Sequence, residues 1–571
     1  MEKKYPRGSS GRQDRHKKRK FQGNQFTFEH ETSFTSTAAQ KLKVNNNEDI
    51  QINPNHGYRI LEFYTVFSAL SQLVICKKCK GQVNFSESGT HALGFKIRIS
   101  CTCGMQYVSS CPLVDRAYEI NRRIVLIMRL LGIGREGLNL FCGLMDMGQG
   151  IYISTYYATL KNIHTAALAM FNIFSKKAVN EEKEQNVENG KPADELTVSG
   201  NGSWKKQGFS SLFGISTLIG KYTGKVIDFV VKSSYCQACA FWKNKEGTED
   251  YKIWAENHQD ICDVNNFDSA GKMKVDSMKE MFLKSEEKFG VKYTTYISDG
   301  DSKTFKALLD FNPYEEKPIK KCECIGHVQK RMGSCLRNKK KVEKLGGKRR
   351  LTNSLITDLT VNYGLAIRRN SHSVEEMKKA IWATFYHKCS TDKKPQHMYC
   401  PPGPDSWCEW RRAEAVNNLA EFHHDPPLHK DVQRAIKSIY KDLSSLDLLE
   451  QCLGGNIRNN NESFNATICR LAPKHLHSGS KVIESCAYLA AGMFNEGYIT
   501  ILKVMETMGV IIGQQCKLFV DYADKQRHTH TEIKSANTAK KARMASQSNI
   551  KKLHDFYEES EGLFYGPGIA D

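Results

Sequence analysis

The chain lacks any apolar run long enough to span a bilayer. The best candidate, Arg122 to Gly134, is broken by Arg129, which argues against a helical membrane span. It also lacks an apolar leader: its N-terminus is basic and polar, which argues against a secretory signal. Without export, the 19 cysteines are expected to be thiols or metal ligands rather than disulfides. No internal repeat is present. Acidic charge is in short supply, since 62 Asp and Glu face 83 Lys and Arg and leave a formal charge of +21. That excess favours a polyanionic partner, with nucleic acid first among the candidates.

What is there is enough for several cores. At 571 residues and 40% hydrophobic content the chain is expected to fold as roughly three or four domains. Residues 1–45 have no apolar periodicity and carry "RHKKRK" from Arg15 to Lys20, so they read as a disordered basic tail. Such a tail suits nuclear import or a DNA-binding arm. Residues 46–190 read as an N-terminal domain with a cysteine-bearing hairpin followed by helices. The acidic stretch "SKKAVNEEKEQNVENGKPADE" is taken as its boundary, either a charged helix end or a linker.

Strand patterns then follow at "ELTVSG", "SSLFGISTLIG", "KVIDFVVKS" and "KYTTYISDG", with an amphipathic helix before the last of them. This predicts a mixed sheet over 191–310. The stretch "VSGNGSWKKQGFSSLFGIST" reads as a strand, a sharp turn at Asn201–Trp204 and a second strand. Residues 311–455 read as a mostly helical insertion, residues 456–520 return to helices that complete the sheet domain, and residues 521–571 read as a basic C-terminal tail.

Three groups of cysteine and histidine have metal-ligand spacing. Cys236-x2-Cys239, eighteen residues, then His258-x3-Cys262 makes two chelating pairs that can close a tetrahedral zinc site within an insertion over 236–262. Cys76-x2-Cys79 with Cys101-x-Cys103 reads as a zinc ribbon, and structural zinc of that kind can contribute on the order of 10 kcal/mol to the folding of a small module. The third group is looser. Cys324-x2-His327 lies far from His387, Cys389, His397 and Cys400, so joining them requires the insertion to fold back on itself.

Asp299 follows the strand "TTYIS", with Asp301 two residues on, and Glu462 opens a helix flanked by Asn461 and Asn465. A strand-end acid and a helix acid over one sheet are what a two-metal phosphoryl-transfer site needs. Each also has an ordinary explanation, as a turn or cap residue or as a complement to the helix dipole.

Together "NGSWKKQGFSSLFG", "YCQAC", "YTTYISDGDSKTF", "KKCECIGHVQKRMG", "YGLAIRRN", "DSWC", "NNNESFN" and the terminal "YGPGIAD" resemble the Mutator-like transposase domain, in order from about residue 50 to the C-terminus. The resemblance implies an α/β, ribonuclease-H-like mixed sheet interrupted before its last acid by the helical insertion. It implies a DDE/D site that cleaves DNA and joins strands with Mg²⁺ or Mn²⁺, action on DNA in the nucleus, and a homo-oligomer. The second acid maps onto Asp299, with Asp301 as the adjacent alternative, and the third onto Glu462. The first maps onto Asn201, where this sequence departs from the pattern: a carboxamide offers a dication one neutral oxygen and an NH2 that cannot bind it.

The resemblance also raises Cys324 and His327 as metal ligands, with their distal partners open among His387, Cys389, His397 and Cys400, of which His397 and Cys400 are the candidates carried forward. The basic stretch after them holds ten Lys or Arg against one Glu. Lys330, Arg331, Arg337, Lys339, Lys340, Lys341, Lys348, Arg349 and Arg350 are the expected contacts to the DNA backbone.

Overall fold

The computed structural model describes residues 50–148, 150–204, 211–298, 302–347, 350–456, 459–474 and 478–535. Asp299, Asp301, Lys348, Arg349 and both chain termini lie outside the described residues.

The first helix, α1 (Phe63–Leu73), is capped by Glu62, whose carboxylate accepts from the Tyr64 and Thr65 amides. It packs on an antiparallel sheet of β1 (Asn84–His91), β2 (Gly94–Cys101) and β3 (Gly104–Ser109), with Phe63 and Phe67 against Phe95 and Phe85. A short ladder, β4 (Leu113–Val114) with β5 (Ala117–Tyr118), leads to α2 (Glu119–Leu130), α3 (Arg135–Leu144) and α4 (Ile153–Glu188).

Helix α4 runs 36 residues and takes in the acidic stretch as far as Glu188, so of the two readings above that part is the charged helix end. The reason lies in what its end buries. The Glu182 carboxylate accepts from the amides of Tyr222 and Thr223 at 2.8 and 2.9 Å, and Asn186 donates to the Pro192 and Glu195 carbonyls. Polar composition there serves a buried cap and not a solvated linker.

A five-stranded sheet forms the centre, in the order β10-β9-β6-β7-β8. It comprises β6 (Glu195–Trp204), β7 (Phe213–Gly220), β8 (Val226–Ser233), β9 (Lys292–Ser298) and β10 (Lys320–Glu323). The strands β6, β7 and β8 are antiparallel, whereas β9 and β10 run parallel to β6 and to each other. Between β8 and β9 lie α5 (Gln237–Trp242), α6 (Glu249–His258), α7 (Ala270–Leu283) and α8 (Ser285–Phe289). Between β9 and β10 lies α9 (Ser302–Phe311).

Both sheet faces are covered, and alternation assigns them. Leu196, Val198 and Leu218 pack with Met278, Met281 and Phe282 of α7. Phe213, Ile215 and Ile219 join the core built on α4 and the C-terminal helices.

The insertion comprises α10 (Ile325–Val342), α11 (Asn353–Arg369), α12 (Val374–Cys389), α13 (Glu409–Ala415), α14 (Lys430–Asp442) and α15 (Leu446–Gln451). It has its own core, in which Val328, Met332, Leu336, Leu359, Tyr363, Ile381, Ile436 and Tyr440 meet. The chain returns through α16 (Asn459–Leu471), α17 (Ser480–Glu496), α18 (Ile499–Thr507) and α19 (Gln514–Ser535).

Helix α19 occupies the start of the segment read above as a tail. It is pinned there because Asp524 accepts from the Tyr498 amide and Arg527 donates to the Phe494 carbonyl. The N-terminal helices belong to the same body as the C-terminal ones. Arg122 donates to the Met508 carbonyl at 2.8 Å, and buried Glu119 accepts from the Ile511 amide and pairs with Arg123. No helix among the described residues is long and apolar enough to cross a membrane.

Candidate functional site

The expected turn at Asn201–Trp204 is strand. Residues 201–204 continue the antiparallel register, Asn201 opposite Thr217 and Trp204 opposite Gly214, with no reversal within them. The glycine at 202 reads as a turn signal locally, but seven paired positions with β7 outweigh it.

Helix α16 docks on this strand. Buried Asn461 donates to the Ser199 hydroxyl at 2.8 Å, which places the start of α16 over the face that Ser199 shares with Asn201 two residues on. The Asn201 carboxamide oxygen accepts from the following Gly202 amide at 2.9 Å. Strand β9 runs beside β6 with Ile297 opposite Ser199, and its last described residue, Ser298, precedes Asp299 in the chain. Glu462 lies in the first turn of α16, is 63% exposed, and faces the Lys330 ammonium at 3.5 Å. The structure therefore fastens the start of α16 to β6 through Asn461 and Ser199 and sets Lys330 of α10 beside Glu462.

Beneath α16 lies a cavity of about 180 Å³ bordered by Ser199, Ile297, Lys221, Asn456, Asn460 and Asn461. Among the described lining residues there is no carboxylate. The side-chain oxygens of Asn456 and Asn461 are buried with no hydrogen-bond partner among the described residues. Burial, then the neighbouring Lys191, pushes the Lys221 ammonium below its ordinary pKa. Neutral amides and one lysine suit water or an anion better than a dication.

The basic segment forms α10. Its buried side is Ile325, Val328, Met332 and Leu336, which leaves Lys330, Ser334, Arg337 and Lys341 as an exposed stripe at spacings of four, three and four. Other cations of the segment are engaged within the protein. Lys339 pairs with Glu343 at 2.6 Å, Lys340 donates to Asn353 at 2.9 Å, Arg350 pairs with Asp431 at 3.3 Å and Arg331 lies 3.7 Å from Glu323.

Three groups bring four metal-ligating atoms each within 4.8 Å of one another. Cys76, Cys79, Cys101 and Cys103 meet where the 76–81 turn approaches the β2–β3 turn, with Cys103 3.1 Å from Cys101 and 3.6 Å from Cys76. A left-handed Lys80 closes the first turn. Hydrogen bonds from the Thr102 hydroxyl and the Gly81 amide draw the Cys79 thiol down to about 6, while hydrogen bonding to Cys101 and Cys76 pushes Cys103 up to about 12. Cys236 and His258 lie 3.3 Å apart and Cys239 and Cys262 3.5 Å, across α5 and α6, with the His258 ring stacked on Trp254. Tetrahedral zinc with nitrogen and sulfur ligands has edges of roughly 3.3–3.8 Å, which the second set meets, while the 3.1 Å between Cys101 and Cys103 in the first set is tighter than a sulfur–sulfur edge. Both groups could hold zinc.

The third group differs from the expected one. It is His387, His397, Cys400 and Cys408. Cys324 and His327 are not in it, because they start α10 directly after β10, whereas His387 ends α12 and Cys408 caps α13. Cys389 is buried in the helical core of the insertion. The sequence reading missed Cys408; its signal was the pair Cys400 and Cys408 spanning a proline-rich loop.

The model of the Mutator-like transposase family matches residues 57–408, more than half of the chain, and the chain belongs to that family. No curated protein and no solved structure matches it.

Proposed function

We propose that this member of the Mutator-like transposase family is a transposase-derived DNA-binding protein whose sheet-end site no longer supports metal-dependent cleavage and strand transfer. Family membership implies interaction with DNA. The strand order, three antiparallel strands extended by two parallel ones, supports a ribonuclease-H-like reading of the central sheet.

The observation that carries the loss of cleavage is Asn201. It occupies the strand position beside α16 where the family pattern has its first acid. Its neutral oxygen is turned to the Gly202 amide. A shared ligand without charge weakens both ions of a two-metal site together, and Mg²⁺ depends on charged oxygen donors. Asp299 and Glu462 would supply the remaining acids, with Asp301 adjacent. Mg²⁺ or Mn²⁺ held by such a set would activate the attacking oxygen and stabilise the leaving one.

DNA would run along the exposed stripe of α10, from Lys341 towards Lys330 and Glu462. Its phosphates would there replace bulk counterions. Assembly as a homo-oligomer and a nuclear location accompany this reading, the latter supported by the basic run Arg15–Lys20.

The test is Mn²⁺- and Mg²⁺-dependent nicking of terminal-repeat DNA by the wild-type chain and by Asn201→Asp. Nicking by the aspartate variant alone is the expected result. Robust nicking by the wild-type chain would overturn it.

A further inference from the structure

Six of the fourteen prolines lie between 395 and 427, namely Pro395, Pro401, Pro402, Pro404, Pro426 and Pro427. The arm they belong to, residues 390–429, holds one short α-helix, α13, and one 3-10 turn, Leu419–Glu421. Its apolar burial is small: Leu428 at its end in the helical core of the insertion, and Cys400 and Cys408 against Ala383 of α12, flanked by Trp407 and Trp410. Ordering each backbone residue costs roughly 1–2 kcal/mol, while each well-buried apolar side chain returns about 1.5–3. So small a cluster cannot order forty residues, and another source of stability is needed.

The two thiols and two imidazoles in that cluster supply one. The sulfur–nitrogen separations are 3.3 Å for Cys408 to His397, 3.6 Å for Cys408 to His387, 3.7 Å for Cys400 to His397 and 4.0 Å for Cys400 to His387. All four use the Nδ1 atom of the ring. A zinc ion with Zn–S of about 2.3 Å and Zn–N of about 2.0 Å in tetrahedral geometry gives edges of roughly 3.5 Å, the middle of this set.

The far side of His397 is also specified. Its Nε2 lies 2.9 Å from Nε2 of His424, and His424 Nδ1 lies 2.7 Å from Asp392 Oδ1, which also accepts from the His424 amide at 2.8 Å. Trp410 stacks on the His397 ring at 4.9 Å. If Nδ1 of His397 lends its lone pair to a metal, Nε2 carries the proton and donates to His424. The proton of His424 then sits on Nδ1 and is donated to Asp392. A chain of this kind orients a ligand ring and raises its basicity.

We propose that His387, His397, Cys400 and Cys408 form a closed zinc site that orders the 390–429 arm, and that His424 and Asp392 act as positioning residues for it. The site has four protein ligands and no open position, so its role is structural. It is independent of whether the sheet-end site cleaves DNA.

The test uses the full chain, loaded with zinc and gel-filtered. Zinc per chain and the rate of zinc loss to a competing chelator are measured for wild type, Cys408→Ser, His424→Gln, Asp392→Asn and Cys389→Ala. Cys408→Ser is expected to lose one equivalent, and Cys389→Ala none. His424→Gln keeps all four ligands, so it is expected to retain stoichiometry at saturation while binding zinc about 10–100-fold more weakly at one site. Asp392→Asn should shift in the same direction. Full zinc content in Cys408→Ser overturns the site. If that variant fails to fold, His424→Gln decides in its place. Chelator release indistinguishable from wild type in both His424→Gln and Asp392→Asn overturns the positioning role.

Discussion

Asn461 and Ser199 are 262 residues apart in the chain and 2.8 Å apart in space. That buried bond fastens the helix carrying Glu462 to the strand carrying Asn201, on the side where the insertion rejoins the sheet. Asn461→Ala is expected to cost about 1–3 kcal/mol, because it removes a buried amide and leaves a cavity. Thermal or urea denaturation of the full chain reads this directly, and a cost below about 0.5 kcal/mol would show that the bond does not hold the helix.

Asn201→Asp should raise affinity for Mn²⁺ even before any cleavage is seen. The added charge replaces a carboxamide already satisfied by the Gly202 amide. Calorimetric titration of the zinc-loaded chain with Mn²⁺ would register a new or tighter site. Identical titrations for both proteins would mean that residue 201 lies outside the ion's reach.

The stripe on α10 and its paired neighbours should differ in DNA binding. Replacing Arg337 or Lys341 with Gln is expected to weaken binding and to lower the slope of log K against log salt by about 1 for each phosphate no longer neutralised. Lys339→Gln and Arg350→Gln should change the slope little, since Glu343 and Asp431 already hold those charges. Equal effects from all four would remove the distinction between exposed and engaged cations.

Glu280 gives a pH signature. Burial opposes its ionisation, but bonds from Lys232 and Lys284, each at 2.8 Å, outweigh it and hold the carboxyl below its ordinary value near 4.5. A depressed folded-state pKa stabilises fully above the unfolded value and is lost as pH falls through the folded one. The stability gap between wild type and Glu280→Gln should therefore be constant above about pH 5.5 and close as pH drops below about 4.5. A gap that widens towards acid pH would contradict the pairing.

Gly200 separates β6 from the Tyr296 ring so closely that a methyl group there would run into it. Gly200→Ala should destabilise the sheet by about 1–3 kcal/mol through overpacking. A neutral result in a denaturant titration would show that the ring can yield.

Much of the architecture is legible locally. The helices of the segment read as a mostly helical insertion over 311–455, and the strand Lys292–Ser298 within "KYTTYISDG", fall where the sequence pattern put them. Two of the Cys/His groups are legible because each chelating pair is short in sequence. The cap at the end of α4 is not, since Glu182 and Asn186 read equally as a charged helix end or a linker until the β7–β8 turn they cap is in place. Asn201 reads as a turn because Asn-Gly is a strong local reversal signal, and only pairing with β7 extends the strand through it.

By itself, then, the sequence determined the family, the segments that become helix and strand, the basic charge and the two compact Cys/His groups. These depend on near neighbours, on spacing of a few residues and on composition. The tertiary structure decided which distant residues meet: Asn461 with Ser199, Glu119 with Ile511, and Cys408 with His387 and His397. Those pairings rest on burial and on hydrogen bonds between segments about ten to several hundred residues apart, and no local spacing rule specifies them.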